Sequence, residues 1–540
     1  MKPPLHLSLA ILAAAAALLG AAGASGAESS TSIRKGGVFR VAFQSGAVDF
    51  VDPALAYSVW SWSLLDTTCA RLMSYPDKAP PEGFRLRPEV ATRKPLVTND
   101  AMTFTFTLRR GFRFSNGARV TASAFARAIN RTLTPGLDSP GAQYTQDILG
   151  ADAVLAGTSQ SAPGIVARGN RLVIRLKHPT PDFPARMTIP FFCAVPPSLP
   201  SDPEGLRTFP AAGPYYVADY RPGTRIVLRR NRFYRGARPH HVDRFDVDLR
   251  ATTSQDVLDR IEQRRADWGN TGLVEAERLA AKYGINRARF FLKTGLTSRG
   301  LAFNTSRGIF GNNPKLRRAV NFAVDRSALR RAIGSPLTAS LTDQFLPPAI
   351  PGYKDAHIYR LLGPNLRKAR ALAKGHTRGG KVKLYIQNVP VRVVQAQILT
   401  ENLRKIGLDV ETERIPPKAF LERVLSPGEP WDIAAASWTP DYVDPFAYLN
   451  VLFDGRFIAG GLNPARFDSP RYNGLLRRAA RIRGSRRYHA YGKLDVQLAR
   501  DAAPMIPTVF TKEPTFVSKR VDHRCIVLRP ALDLAAVCLK

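Results

Sequence analysis

A chain of 540 residues is too long for one hydrophobic core, so more than one domain is expected. Hydrophobic residues at 44% and charged residues at 23% exclude a disordered or fibrous chain. The net charge of +36 comes from basic residues spread along the whole length, with no dense Lys/Arg block or interleaved aromatic stripe. No RNP-like, zinc-finger or helix-turn-helix pattern occurs, so nucleic acid is not an expected partner, and the charge points to loose attraction to an anionic cell envelope.

Residues 1–27 read as a signal peptide. Lys2 supplies the positive region, residues 5–19 are apolar, and Ser25-Gly26-Ala27 fits a small-x-small cleavage site. An uncleaved anchor is the alternative. No later segment reaches the roughly 18 uninterrupted apolar residues of a membrane span. The chain is therefore read as exported, periplasmic or otherwise outside the cytoplasm. In that compartment Cys69, Cys193, Cys525 and Cys538 predict one or two disulfides, with all three pairings open. Cys525 and Cys538 flank the turn-like Arg529-Pro530 and could bridge a C-terminal hairpin. None has CxxC spacing, so no metal site is expected.

Residues 37–43 alternate as a first strand, ended by the turn Val51-Asp52-Pro53-Ala54. Met102, Phe104, Phe106 and Leu108 alternate with threonines as a half-buried strand. Phe112 and Phe114 continue it to the hairpin-type turn Ser115-Asn116-Gly117. A helix from Ala122 carries Phe125, Ile129 and Leu133 at fourfold spacing. Strands follow at 172–176, 213–217, 225–228 and 246–249, then a helix at 254–263. The pattern restarts with a strand at 301–303 and one long helix over 314–333. A helix at 366–373 and a strand at 382–386 come next. The helix at 391–406 is stopped by Gly407, and a strand at 408–415 completes a strand-helix-strand unit. Helices at 475–481 and 489–499 precede strands from Val509. This is a mixed α/β protein with two main lobes.

Residues 431–453, WDIAAASWTPDYVDPFAYLNVLF, place Asp441 and Asp444 among Trp438, Tyr442, Phe446 and Tyr448. An unpaired buried charge is heavily penalised. An acid between aromatic walls therefore suggests a socket for a cation such as a ligand ammonium. The competing reading is a surface turn in which Asp444 caps the next helix.

Six blocks in this order resemble the extracellular solute-binding proteins of ABC importers, family 5, which includes the peptide-binding ones. They are Asp52-Pro53-Ala54, residues 104–125, AAGPYYV with LRRNRFY, LAFNTS with LRRAVNFAVDR, WTPDYVDP, and the terminal APMIPTVF. The resemblance covers residues 36–539. It implies a type II periplasmic-binding-protein fold of the large cluster with an extra inserted subdomain. Lobe I would comprise residues 35–58, 178–297 and 506–540, the insertion 59–177, and lobe II 298–505. The crossings between lobes would lie near residues 296–299 and 499–507, forming a hinge. In peptide-binding relatives an acid at the position of Asp441 holds the ligand's α-ammonium, with Trp438 and Tyr442 as pocket wall. Ser45, Ala47 and Val48 would pair strand-like with an extended peptide, and Tyr144 would line the pocket from the insertion. Asp444 would shape the loop through Pro445.

Two departures stand out. Ala122-Ser123-Ala124 replaces the family's usual acidic helix start, and no basic residue occupies a motif position for a peptide carboxylate. Relatives also bind nickel chelates, haem, sugars or opines. The expected function is capture of a small solute, an oligopeptide first, for delivery to a membrane permease by a monomer without cofactor. A sensory envelope protein of the same fold is the alternative. A hydrolase using Asp441 and Asp444 is disfavoured, because no HExxH, GxSxG, Walker A or GxGxxG motif supports an enzyme.

Overall fold

Alternating large apolar residues build the first sheet. The computed structural model describes residues 33–273, 275–459, 461–526 and 532–540; the signal-peptide reading of residues 1–27 and the Arg529-Pro530 turn lie outside them. In the strand Val38–Gln44, Phe39, Val41 and Phe43 are buried. It runs parallel to Arg244–Ala251 on one side and to Trp268–Gly269 on the other. Antiparallel strands Arg225–Arg230 and Tyr215–Arg221 complete five strands. Phe39, Val41 and Phe43 share one core with Phe245, Trp268, Leu534 and Val537, so the beginning and end of the chain pack together.

Between the first strand and Tyr215 the chain makes a second, antiparallel sheet. Its order is Leu96–Thr98, Thr103–Thr107, Arg171–Arg175, Ile165–Arg168. The Thr/Phe alternation at 103–107 is observed as read, with Phe104 and Phe106 inward. Phe125 and Ile129 of the helix Ala122–Arg131 pack in the same core. The same helix ends in Arg131, which grips Asp52 through two bonds of 2.8 and 2.7 Å, both side chains fully buried. That pair ties this sheet to the Asp52-Pro53-Ala54 turn.

The third sheet has six strands in the order Ala339–Leu341, Met505–Phe516, Phe290–Phe303, Ile433–Trp438, Lys381–Gln387, Asp409–Ile415. Its two longest strands, Phe290–Phe303 and Met505–Phe516, lie antiparallel from Phe290 opposite Phe516 to Ala302 opposite Met505. At one end Phe290 and Phe516 pack with Ala42 and Val257, in a core beside the first sheet. At the other, Ala302 and Met505 belong to the core that takes in both the six-stranded sheet and Phe104 and Phe106 of the second sheet. This one strand pair thus joins the two regions. Its register breaks between Lys293 and Thr297 and again between Arg299 and Gly300. Glycine is required here: a Cβ on Gly295 or Gly300 would meet the Thr511 or Ile506 carbonyl oxygen at 1.8 or 2.2 Å.

The single helix expected over 314–333 is two, Pro314–Ala323 and Arg326–Ile333. The apolar spacing runs through both, but Asp325 caps the second by accepting from the Ala328 amide, and a capping residue has extended backbone. Phe112 and Phe114 continue no strand; a lone bridge from Arg113 to Arg119 closes the turn. The strand expected at 301–303 is only the end of a strand of 14 residues. Both disulfides form, Cys69–Cys193 and Cys525–Cys538. Among the described residues no helix is long and apolar enough to cross a membrane.

Candidate ligand-binding site

Strand direction gathers the site. Ile433–Trp438 runs parallel to Lys381–Gln387 and antiparallel to Phe290–Phe303. The carboxyl ends of the two parallel strands therefore share an edge with Thr297 and Arg299. In open α/β sheets that edge is where ligands bind. Past Trp438 the loop turns through Asp441 to Asp444-Pro445 and enters the helix Phe446–Phe453.

Asp441 is half-buried at this edge. Its Oδ2 accepts hydrogen bonds from Tyr57 at 3.0 Å and from Tyr144. The Gln143 amide donates to the Tyr57 hydroxyl at 3.3 Å, which holds that ring in place. Burial pushes the Asp441 carboxyl up to about 6, with the Tyr144 and Tyr57 hydroxyls pulling the other way. Both tyrosines are themselves raised, by burial first and then by the charge of Asp441, so they remain donors. Among the described residues no Lys, Arg or His forms an ion pair with Asp441. A carboxylate lined by hydroxyls and lacking a cation can accept one, and charge-assisted bonds are the strong ones.

Three residues on, Asp444 has the opposite surroundings. Its Oδ1 accepts from the Phe446 amide at 2.8 Å, so it does start the helix. It also receives Arg487 Nη2 at 2.8 Å and Nε at 3.3 Å. Arg487 reaches Asp182 at 3.4 Å, and Asp182 takes Arg186 Nε at 3.0 Å and the Tyr442 hydroxyl at 2.7 Å. Arg186 in turn pairs with Asp147 at 3.1 Å and lies over the Phe446 ring, 5.1 Å from its centre. Burial would raise Asp182, but Arg186 and Arg487 outweigh it and hold the group below its ordinary value.

The remaining sequence-predicted residues divide. Trp438 is half-buried and donates its indole N–H to the Ala447 carbonyl at 2.6 Å, which fixes the ring. Tyr442 turns its hydroxyl to Asp182 and its ring edge to Tyr144, 6.1 Å between centres, and so braces Tyr144 beside Asp441. Tyr144 stands beside Asp441. The Ser45–Val48 loop already spends part of its backbone on bonds within the protein. The Ser45 amide donates to Ala251 at 2.8 Å, the Ala47 amide to Gln44 at 3.0 Å, and the Ala47 carbonyl accepts from Ser58 at 2.8 Å. The physical reason is that this loop closes on its own sheet; Val48 packs against the first core. Tyr57, Asp182, Arg186 and Arg487 were not foreseen. Tyr57 alone carried a signal, standing three residues after the Asp52-Pro53-Ala54 block. Among the described residues no group of three or more His, Cys, Asp or Glu gathers as a metal site.

Comparison with known proteins gives the family. The family model for bacterial extracellular solute-binding proteins, family 5, matches residues 85–459. The chain belongs to that family. The oligopeptide-binding protein OppA of Bacillus subtilis is 22% identical over 399 residues, 70% of this chain and 71% of that protein. The clavulanic acid biosynthesis oligopeptide binding protein 2 superposes with a TM-score of 0.85 at 24% identity, covering 94% and 96% of the two chains. The periplasmic binding protein DppA of Helicobacter pylori, in complex with the peptide STSA, superposes at 0.76 with 21% identity, covering 94% and 98%. The periplasmic-binding-protein fold expected from the sequence is thereby established, and the family consists of solute-binding proteins.

Proposed function

We propose that the protein is exported to the periplasm or cell envelope, captures a short peptide by its free amino end, and delivers it to the permease of an ABC importer. The observation that carries this reading is Asp441, a carboxylate held by two tyrosine hydroxyls with no cation of its own. A ligand ammonium would supply the missing charge, and the hydroxyls already orient the acceptor. Relatives that bind oligopeptides and dipeptides support the same ligand class.

We take the strand pair Phe290–Phe303 and Met505–Phe516 as the hinge. Its register break at Lys293/Thr297, opposite Glu513 and Thr511, favours a second crossing at 511–513 over the 499–507 expected from sequence. A hydrolase acting through Asp441 and Asp444 is disfavoured because Asp444 is neutralised by Arg487. Native mass spectrometry of the purified protein tests the proposal. Retained short peptides are expected; a retained ligand without an amino group would overturn it.

A further inference from the structure

The first sheet buries one face and turns the other to a groove. Tyr215, Leu228 and Phe245 lie in its core, and alternation along the strands sends their neighbours to the outer face. There the register sets rows across three strands. Tyr216, Arg229 and Arg244 stand directly opposite one another in the first row. Asp219 and Asp246 flank Val227 in the second, and Arg221 opposes Arg225 in the third.

Like charges directly opposite one another destabilise a sheet, and water screens that repulsion without removing it. The third row is relieved within the protein, because Asp219 reaches Arg221 at 3.7 Å and Arg225 at 2.8 Å. The first row has no such relief. Asp246 takes Arg244 at 2.8 Å, but among the described residues no carboxylate pairs with Arg229. Beside these strands, Ser115, Asn116 and residues 208–210 close a groove of about 760 Å³, within the size range of ordinary ligand pockets. The Ser115 amide donates to the Ala211 carbonyl at 2.8 Å and the Ala211 amide to Ser115 Oγ at 3.4 Å, which fixes the two sides to each other. No residue of the Asp441 site lines this groove.

The lining sets the chemistry. Two neighbouring guanidiniums hold a carboxylate or a phosphate by paired charged bonds. The half-buried rings of Phe209 and Tyr216 offer flat apolar surface. Asp219 and Asp246 accept from hydroxyls, and Asn116 and Thr208 can donate. The same two acids repel a ligand that is anionic throughout, so its charge belongs at one end only. We propose that the groove binds an anionic sugar, a hydroxyl-bearing ring with one carboxylate or phosphate, its acid group between Arg229 and Arg244. Cell-envelope polymers contain such units. For an exported protein the groove therefore gives a place to the attraction that the net charge of +36 leaves unplaced. The site is independent of the peptide reading of Asp441.

The test titrates ligand-stripped mature protein with glucuronate, glucose 6-phosphate, glucose and inorganic phosphate, followed by NMR at about 0.15 M salt to suppress diffuse charge attraction. At least one of the two charged sugars is expected to bind, and the tighter one names the acid group. Glucose should bind about 10- to 100-fold more weakly, the size of a lost charged hydrogen bond. Arg229→Gln should cause the same loss for the charged sugar, while unfolding at or above the parent's temperature because a repulsion is removed. Arg221→Gln takes away an arginine that already has its acid, and should leave sugar binding as it was. Failure of both charged sugars to bind, or binding equal to that of glucose, overturns the proposal. So does parental binding in Arg229→Gln, or an equal loss in Arg221→Gln, which would mark mere charge attraction. Inorganic phosphate binding as tightly as glucose 6-phosphate overturns the assignment to a sugar.

Discussion

Asp441 and Asp444 stand three positions apart in one loop, and their neighbourhoods are opposite. Asp444 is enclosed by Arg487, a helix-start amide and, through Arg487, the Asp182–Arg186 pair. Asp441 has two tyrosine hydroxyls and, among the described residues, no cation. In the first region the protein has completed its own electrostatics. In the second, on the proposed reading, the acceptor is built and the charge comes from the ligand. A loop rich in acids and aromatics thus divides into a half paired by arginine and a half, proposed here to bind ligand, that arginine does not reach.

The strongest way to break the comparison is to remove Arg487. Arg487→Met should leave Asp444 and Asp182 buried without their shared cation and destabilise by about 3–5 kcal/mol, read by denaturant unfolding. A change under about 1 kcal/mol would mean the network is not complete in the sense argued here. The segment around Asp182 and the Asp444 loop are 262 positions apart in sequence, so the same variant should also loosen their contact.

Asp441→Asn should act in the other direction on stability. Because burial raises Asp441 above its unfolded value, its ionisation disfavours the empty fold as pH rises from about 4 through about 6. The empty variant should therefore be no less stable than the parent at neutral pH, while binding of an amine-bearing peptide drops about 10- to 1000-fold. Opposite signs in one substitution distinguish a binding acid from a structural one.

Acidity sharpens the same point. Peptide affinity should fall as pH drops below about 6, up to tenfold per unit, because the ligand ammonium needs the ionised carboxylate. Isothermal titration between pH 7 and pH 5 reads this. A flat profile would contradict an acid titrating near 6 as the partner. The smallest effect is expected from Tyr144→Phe, which removes one donor and leaves Tyr57. Affinity should fall about 3- to 10-fold, with the pH midpoint moving up.

Much of this was legible from sequence where a local rule governs. The Thr/Phe alternation at 103–107 and the helix at 122–131 follow from periodicity, and the Asp444-Pro445 helix start from capping chemistry. The acid among aromatics marked the loop on which the proposed function rests. What could not be read are pairings without period: Arg487 with Asp444 and Tyr57 with Asp441 depend on which segments become neighbours. The break at Asp325 was hidden because the apolar stripe continues across it. Nor could sequence show that Ser45 and Ala47 bond to Ala251 and Ser58, since those partners come from other segments.

The most direct measurement is the affinity ratio between unblocked and N-acetylated forms of one retained peptide, in the parent protein and in Asp441→Asn. The account predicts a large ratio in the parent that collapses towards unity in the variant. An equal ratio in both proteins would contradict the assignment of Asp441 as the ammonium partner.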